Sequence, residues 1–169
     1  MRATKNAKAD VLPNSPASAK PEWLKKLSDG KYLMIHRIKK QNDINKDKWV
    51  GVGGKLEAGE TPFDCARREI REETGLLVDK LSYRGLVTFV SNEFGTEYMH
   101  LFHTTKFDGA LLQECDEGNL EWVDKKDVLL LPLWEGDKIF LDLLDRDVPF
   151  FSLKLVYDKD KLISHKLEY

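Results

Sequence analysis

The most informative part of the chain is the segment Gly54–Leu76, which reads GKLEAGETPFDCARREIREETGL. Thr61 and Pro62 are favoured at the start of a helix, and Asp64, three residues after Thr61, completes a capping box. Gly75 supplies the left-handed residue at which many helices end. The segment therefore predicts a glycine-containing loop followed by a helix. Three apolar residues at helical spacing would face the core: Phe63, Ala66 and Ile70.

The predicted helix carries three glutamates, Glu69, Glu72 and Glu73, at positions i, i+3 and i+4 of one face. Like charges at this spacing repel each other, which is a local cost without a structural return. A divalent cation reverses the sign of that interaction, because Mg²⁺ prefers carboxylate oxygens together with water and phosphate. Arg68 would hold one carboxylate by a bidentate pair. Taken alone, the three carboxylates also fit a solvated acidic helix face.

The loop before the helix favours the metal-binding interpretation. Gly54 is followed after five residues by Glu60, and after seven more by Arg68-Glu69; then come Glu72-Glu73 and Gly75 with an aliphatic neighbour. This spacing matches the Nudix box at each of its fixed positions, so the chain resembles the Nudix hydrolase family. A purely structural acidic helix gives no reason for the spacing of the glycine and the first glutamate.

The resemblance implies an α+β fold, a Nudix-type α/β/α sandwich with a mixed β-sheet and a helix on each side. The order of predicted strands and helices, which lacks a βαβ rhythm, agrees with that class. It further implies one or more Mg²⁺ or Mn²⁺ ions bound by the carbonyl of Gly54 and the carboxylates of Glu69, Glu72 and Glu73. Glu69 serves as ligand or base in different members, and Arg68 matches the arginine that orients a catalytic glutamate.

Glu117 is the candidate for a further acid outside the box. It lies at the start of a predicted strand, five residues before Trp122. MutT-type members place an acid there that reaches the metals, which would make Glu117 both a ligand and a catalytic residue. The alternative is a turn residue beside Gly118.

The similarity extends to the MutT-type enzymes that hydrolyse oxidised purine nucleoside triphosphates. Three segments carry it: Trp49–Lys55, Leu133–Asp137 and the closing hairpin Phe150–Leu167. Trp134 would stack on the base and Asp137 would hydrogen-bond to its edge. Without the resemblance, Trp134 is a core or rim aromatic and Asp137 an acid favoured by the helix dipole.

Lys55 and Arg37 are the remaining candidates for substrate contacts. Arg37 ends an apolar strand, where a phosphate contact and a surface salt bridge are equally compatible with the sequence. Two positions depart from the MutT-type pattern. Val50 replaces an asparagine that reads the purine, and Gly136 replaces a second acid. Because base discrimination depends on such hydrogen bonds, strict specificity for oxidised guanine does not follow.

The domain is predicted to span Gly30–Tyr169, preceded by an atypical polar segment, residues 1–29, that is partly disordered. Residues 1–20 are predicted to be a tail, because they lack large apolar residues. The family begins with an apolar strand just before Lys31–Arg37, but Ala19–Leu27 has a proline, four charges and helical spacing. Either this segment is forced into the sheet, or the sheet lacks that strand.

The composition is that of a soluble single-domain protein, with 169 residues, 41% hydrophobic and 33% charged. A net charge of −2 gives no basic excess, so direct binding of nucleic acid is not expected. Cys65 and Cys115 are expected to stay reduced, and neither a membrane-spanning run nor a secretory signal is recognisable. These features predict a cytoplasmic location and leave the oligomeric state open.

The sequence thus predicts a nucleoside triphosphate diphosphatase that binds a small nucleotide and releases a monophosphate and pyrophosphate. The resemblance makes an oxidised nucleotide such as 8-oxo-dGTP a candidate substrate, which would give a role in nucleotide-pool sanitisation and DNA repair. One alternative is a Nudix hydrolase of ADP-ribose or a dinucleotide. Another is a nucleotide sensor without catalysis, although such a domain would be expected to lose the box carboxylates that remain at Glu69, Glu72 and Glu73.

Overall fold

The structure is a computed structural model that describes residues 7–11 and 30–169. This part of the chain contains ten strands and three helices. The strands are β1 (Ala7–Val11), β2 (Lys31–Arg37), β3 (Trp49–Gly54), β4 (Leu76–Leu77), β5 (Ser82–Ser91), β6 (Gly95–Thr104), β7 (Asp108–Gly109), β8 (Gly118–Asp124), β9 (Phe151–Asp158) and β10 (Lys161–Glu168). The helices are α1 (Pro62–Thr74), α2 (Lys125–Val128) and α3 (Glu135–Asp145).

Eight strands form one mixed sheet in the order β10-β9-β5-β6-β1-β3-β2-β8, and β4 pairs with β7 separately. Neighbours are antiparallel except for two parallel pairs, β1 with β6 and β5 with β9. The hairpin predicted at the carboxyl end is formed by β9 and β10. Its turn includes Lys159, which has a positive φ of 52°.

The two faces of the sheet are covered by different helices. In β2, Leu33 and Ile35 belong to the core that packs against α1, whereas Tyr32 and Met34 belong to the core that packs against α3. Alternation along the strand sends successive side chains to opposite faces. The predicted α+β sandwich with a helix on each side is confirmed.

Helix α1 begins and ends where the sequence predicts. Thr61 is the N-cap; its hydroxyl accepts from the amide of Asp64, while the Asp64 carboxylate accepts from the amide of Thr61. Gly75 closes the helix in the left-handed conformation, with φ 73°. Ala66 and Ile70 are fully buried and Phe63 packs at the edge of the same core. This local order places the acidic face of α1 beside the end of β3.

The prediction of a tail over residues 1–20 is wrong for Ala7–Val11. These five residues form β1, which lies between β3 and β6 and pairs with both. The sheet therefore has a strand before Lys31–Arg37, supplied by a segment in which small apolar residues alternate with Lys8 and Asp10. The short length and small side chains of this segment make the signal weak. Pairing on both sides satisfies its backbone groups, which compensates for weak local preference. Ala19–Leu27, which was considered for that place, lies outside the described residues, and the boundary at Gly30 stays a prediction.

Helix α3 lies very close to β9, and Gly136 makes that approach possible. A Cβ at this position would stand 2.4 Å from Leu155 Cδ1 and 2.7 Å from the hydroxyl of Tyr157. The amide of Gly136 donates to that hydroxyl at 2.8 Å. Trp134 directly precedes the helix as its N-cap. No helix in the described residues is long and apolar enough to cross a membrane.

Candidate active site

A cleft of about 670 Å³ is lined by the end of β2 and the loop after it, by β3 and α1, by the hairpin of β5 and β6, by the residue before β8, and by the start of α3 and the end of β9. We call the part lined by carboxylates that include Glu69 and Glu73 the acidic end. The part lined by Trp134, Asp137 and Tyr157 is called the aromatic end. Acidic and aromatic groups that are far apart in the sequence therefore share a single cavity.

Glu73 is the most deeply placed carboxylate of the acidic end. Only 9% of the residue is exposed, and one carboxylate oxygen accepts a hydrogen bond from the amide of Gly53 at 3.0 Å. Burial raises the pKa of Glu73 to about 7, and the neighbouring charge of Glu69 acts in the same direction, while the amide of Gly53 opposes it. A cation beside this carboxylate would relieve the cost of burying its charge.

Arg68 connects the loop and the helix of this end. Its Nε and Nη2 donate to the two oxygens of Glu60 at 2.7 and 3.0 Å, and its Nη1 donates to Glu69 at 2.7 Å and to Glu72 at 3.1 Å. Nη2 also donates to the carbonyl of Lys55 at 3.0 Å. The bonds to Glu60 lower the pKa of that carboxyl to about 2, and those to the three glutamates raise the pKa of Arg68. Arg68 thus organises the acidic end.

Gly54 lies directly against the carboxylate of Glu69. A Cβ on Gly54 would stand 2.2 Å from Glu69 Oε1, so any larger residue would displace that carboxylate. The carbonyl of Gly54 is near the thiol of Cys65, 4.0 Å from Sγ.

The predicted metal ligands are brought together only in part. Gly54, Glu69, Glu73 and Glu117 line the cleft, whereas the side chain of Glu72 is 60% exposed and pairs with Arg68 at its margin. Within residues 7–11 and 30–169, no three histidine, cysteine, aspartate or glutamate side chains are already arranged as a ligand set. The donors nevertheless fit a hard divalent cation, because they are carboxylate oxygens, one of them buried, beside a backbone carbonyl.

Glu117 lines the cleft and is held by two cations. Its carboxylate forms ion pairs with Arg37 and with Lys40, the second at 3.2 Å. Arg37 is also bound to Asp43, at 2.6 Å from Nε to Oδ2. The salt-bridge interpretation of Arg37 therefore describes this structure, although Arg37 and Lys55 both line the cleft beside the carboxylates. Their contacts with a phosphate stay predictions.

The opposite end of the cleft contains the residues predicted to bind a base. Trp134 lines it and is in edge-to-face contact with Tyr157, with ring centroids 5.9 Å apart. Asp137 lines it and is only 3% exposed. Burial raises the pKa of Tyr157 to about 12, and the amide of Gly136 opposes that shift. Trp134 is half-buried: it packs against the core beneath α3 and also lines the cleft.

The structure places the two departures noted in the sequence differently. Val50 is 4% exposed and forms an apolar part of the cleft wall. Gly136 is buried between α3 and β9 and cannot be replaced by an acid without a collision with β9, as the distances to Leu155 and Tyr157 show.

Sequence reasoning missed several polar residues of the cleft in the loop between β2 and β3. Asp43 and Asn45 line the cleft there, and so does the exposed Ile44. In the sequence this stretch is a polar, Asn- and Asp-rich loop, but Asp and Asn are common in turns for purely local reasons. The only signal in the sequence was their concentration in Gln41–Lys48, just before the segment that leads into the box.

The fold and the acidic loop–helix define a Nudix domain. The sequence model of the NUDIX domain family matches residues 26–144, and the chain belongs to the Nudix hydrolase family. Nudix hydrolases generally use divalent metal cations.

Three known proteins illustrate the relationship. The chain is 32% identical to an uncharacterized Nudix hydrolase, YvcI, of Bacillus subtilis over 146 residues, which cover 83% of this chain and 89% of the relative. It is 33% identical to the oxidized purine nucleoside triphosphate hydrolase of Danio rerio over 133 residues, 76% of this chain and 83% of the relative. The crystal structure of a mutator MutT protein from Bacillus halodurans superposes with a TM-score of 0.78 at 26% identity and covers 96% of both chains.

Proposed function

We propose that this protein is a Mg²⁺-dependent nucleoside triphosphate diphosphatase, which hydrolyses a nucleoside triphosphate to the monophosphate and pyrophosphate. Water supplies the oxygen that forms the new P–O bond, the bridging P–O bond breaks, and pyrophosphate leaves. An oxidised purine nucleotide such as 8-oxo-dGTP is the candidate substrate, in line with the similarity to the fish enzyme.

The observation that carries the proposal is the joining of an acidic and an aromatic end in one cleft. Glu69 and Glu73 line one end, and Trp134 and Asp137 line the other. A nucleoside triphosphate has the same polarity, since its charged phosphates extend from an aromatic base. The volume of about 670 Å³ lies within the range of small-molecule sites.

At the acidic end, the carbonyl of Gly54 and the carboxylates of Glu69, Glu72, Glu73 and Glu117 would hold the metal. Bound there, Mg²⁺ would neutralise phosphate charge and lower the pKa of water. Glu72, at the margin, would have to turn inward from Arg68, and Glu117 would have to exchange its ion pairs for this role. The exposed side chain of Glu72 can make such a change at small cost, whereas the half-buried Glu117 would need the metal to replace the charges of Arg37 and Lys40.

Arg68 has the role of a positioning residue. It shares one guanidinium between Glu69 and Glu72 while Glu60 fixes its orientation from the loop. Glu69, which serves as ligand or base in different members of the family, would either bind the metal or accept the proton of the attacking water. Lys55 and Arg37, on the cleft wall, would contact the phosphates.

At the aromatic end, Trp134 would stack on the base, and Asp137 would accept hydrogen bonds from its edge. Val50 offers no hydrogen bond, so discrimination between oxidised and normal guanine would depend on the remaining polar groups. We therefore expect triphosphate hydrolysis with a weaker preference for the oxidised base than the complete MutT-type pattern would give.

The proposal is tested by measuring pyrophosphate release with Mg²⁺ from 8-oxo-dGTP, dGTP, ADP-ribose and a diadenosine polyphosphate. We expect turnover of the triphosphates, its loss in Glu69→Gln, and its retention in Glu121→Gln, a matched change at an exposed position of β8 outside the cleft. Turnover of only ADP-ribose or the dinucleotide would refute the triphosphate assignment. Binding without any turnover would favour a nucleotide sensor.

A further inference from the structure

The ring of Trp134 is held by the loop that joins β2 to β3, Gln41–Lys48. The indole N–H donates to Oδ1 of Asn45 at 2.8 Å, across 89 positions of sequence. The ammonium of Lys48 lies over the indole ring, 4.4 Å from its centroid. Tyr157 meets the ring edge-on, at an interplanar angle of 88°. The loop therefore fixes both the direction of the indole N–H and one face of the ring.

The loop is itself anchored to the sheet. Asp43 Oδ2 accepts from Nε of Arg37 at 2.6 Å, and Asp43 Oδ1 accepts from the amide of Asn45 at 3.0 Å. The side chain of Asp43 is only 7% exposed, so this ion pair is shielded from water. The backbone of Lys48 also accepts from the amide of Arg37 at 2.9 Å. Asn45 is thus placed relative to β2 by contacts on both of its sides.

We propose that Asn45 is a positioning residue for base recognition, which sets the plane of Trp134 against which the base stacks. This inference rests on the proposed function, because it names the element that orders the aromatic end of that site. An indole N–H is a donor with a single direction, so one acceptor selects one orientation of the ring. Lys48 lies over the ring, and the base would stack on the part of the ring that lines the cleft.

The inference predicts a selective loss in Asn45→Ala. Without the acceptor, the indole gains rotational freedom that must be given up when a base binds. One neutral hydrogen bond corresponds to a loss of affinity of about five- to tenfold. Groups that bind only at the acidic end have no contact with Trp134, so pyrophosphate binding should be unaffected.

Affinities for dGMP and for pyrophosphate, measured by NMR titration of the whole protein, test the inference. We expect dGMP to bind about five- to tenfold more weakly to Asn45→Ala, with the Trp134 indole resonance shifted in the free protein. Asn45→Asp keeps an acceptor and should restore most of the dGMP affinity. Lys46→Ala, a change in the same loop at a residue that bonds only to Gln41 through its side chain, is the control.

Equal dGMP affinity in Asn45→Ala and the unmodified protein would overturn the inference. A parallel loss of pyrophosphate affinity would also overturn it, because that result would indicate a general disturbance of the cleft. If the unmodified protein did not bind dGMP, the proposed base site itself would be contradicted. By contrast, a protein that binds dGMP in the expected manner but cleaves no triphosphate would contradict the proposed function alone.

Discussion

Arg68 and Glu60 form a two-point ion pair, with Nε 2.7 Å from Oε1 and Nη2 3.0 Å from Oε2 of the same carboxylate. This pair joins the loop after β3 to helix α1. Because the remaining nitrogen of the guanidinium reaches Glu69 and Glu72, the loop determines where two of the three helix carboxylates lie. The structure thus explains why the sequence has a glutamate at this distance from Gly54.

The ion pair of Glu60 with Arg68 predicts that the fold loses stability in acid. The pKa of Glu60 is lowered to about 2 from an ordinary value of 4.5, mainly by its hydrogen bonds with Arg68. Because the pKa of Glu60 is lower in the folded state, its charged form stabilises the fold at pH values above the ordinary pKa. This contribution to stability is lost as the pH falls from 4.5 towards 2. We expect unfolding by urea to show a steeper loss of stability over this window in the unmodified protein than in Glu60→Gln. Identical pH profiles would show that the pair does not contribute to folding.

Replacement of Arg68 by lysine should reduce kcat with a small effect on stability. An ammonium cannot form the planar two-point contact with Glu60 and still reach Glu69. Losing a group that orients metal-binding carboxylates typically costs 10- to 100-fold in activity, and we expect about that loss here. Steady-state kinetics with a triphosphate checks it, with Arg67→Lys as a control on the same helix. Comparable kcat values in the two variants would contradict the positioning role of Arg68.

The variant Glu73→Gln should lose metal binding but keep its fold. The amide oxygen of glutamine can still accept the hydrogen bond from Gly53, and the buried charge is removed, so the metal-free fold should be retained. We expect the rise in thermal stability produced by added Mg²⁺ to disappear and turnover to fall by at least about 100-fold. Thermal denaturation with and without Mg²⁺ gives the first result. If added Mg²⁺ raised the thermal stability of the variant as much as that of the unmodified protein, and turnover were also unchanged, Glu73 would not be a metal ligand.

Two glycine replacements should have opposite consequences. In Gly54→Ala the new methyl group meets the carboxylate of Glu69, which can move aside; we expect activity to fall and stability to change little. In Gly136→Ala it meets Leu155 and Tyr157 in a packed core, and we expect a loss of about 1–3 kcal/mol of stability. Urea unfolding and kinetics on both variants distinguish the effects. If Gly136→Ala were as stable as the unmodified protein, the close approach of α3 to β9 would be wrong.

The elements that the sequence predicted well are those with local signals. The capping residues Thr61 and Asp64, together with Gly75, determine helix α1 by short-range hydrogen bonds and backbone conformation. The acidic face of that helix followed from the spacing of Glu69, Glu72 and Glu73, whereas its close contact with Gly54 is seen only in the structure. In the same way, the continuous apolar run Tyr32–Ile35 identified β2 with its observed bounds, Lys31–Arg37.

The features that were missed depend on contacts between distant parts of the chain. Ala7–Val11 forms a strand because partners on both sides supply its hydrogen bonds, which five weakly apolar residues do not reveal. Asn45 gains its role only when the fold brings Trp134 to it. The ion pair of Arg37 with Glu117 likewise joins residues that no local pattern connects. Such contacts are set by tertiary structure rather than by periodicity.

The most direct test of the central claim is ³¹P NMR of the products formed from dGTP and Mg²⁺, with the unmodified protein and with Glu73→Gln. We predict that dGMP and pyrophosphate appear together in equal amounts with the unmodified protein, and that neither forms at a comparable rate with the variant. Formation of dGDP and orthophosphate, or equal rates for the two proteins, would contradict a diphosphatase whose metal is held by the acidic end of the cleft.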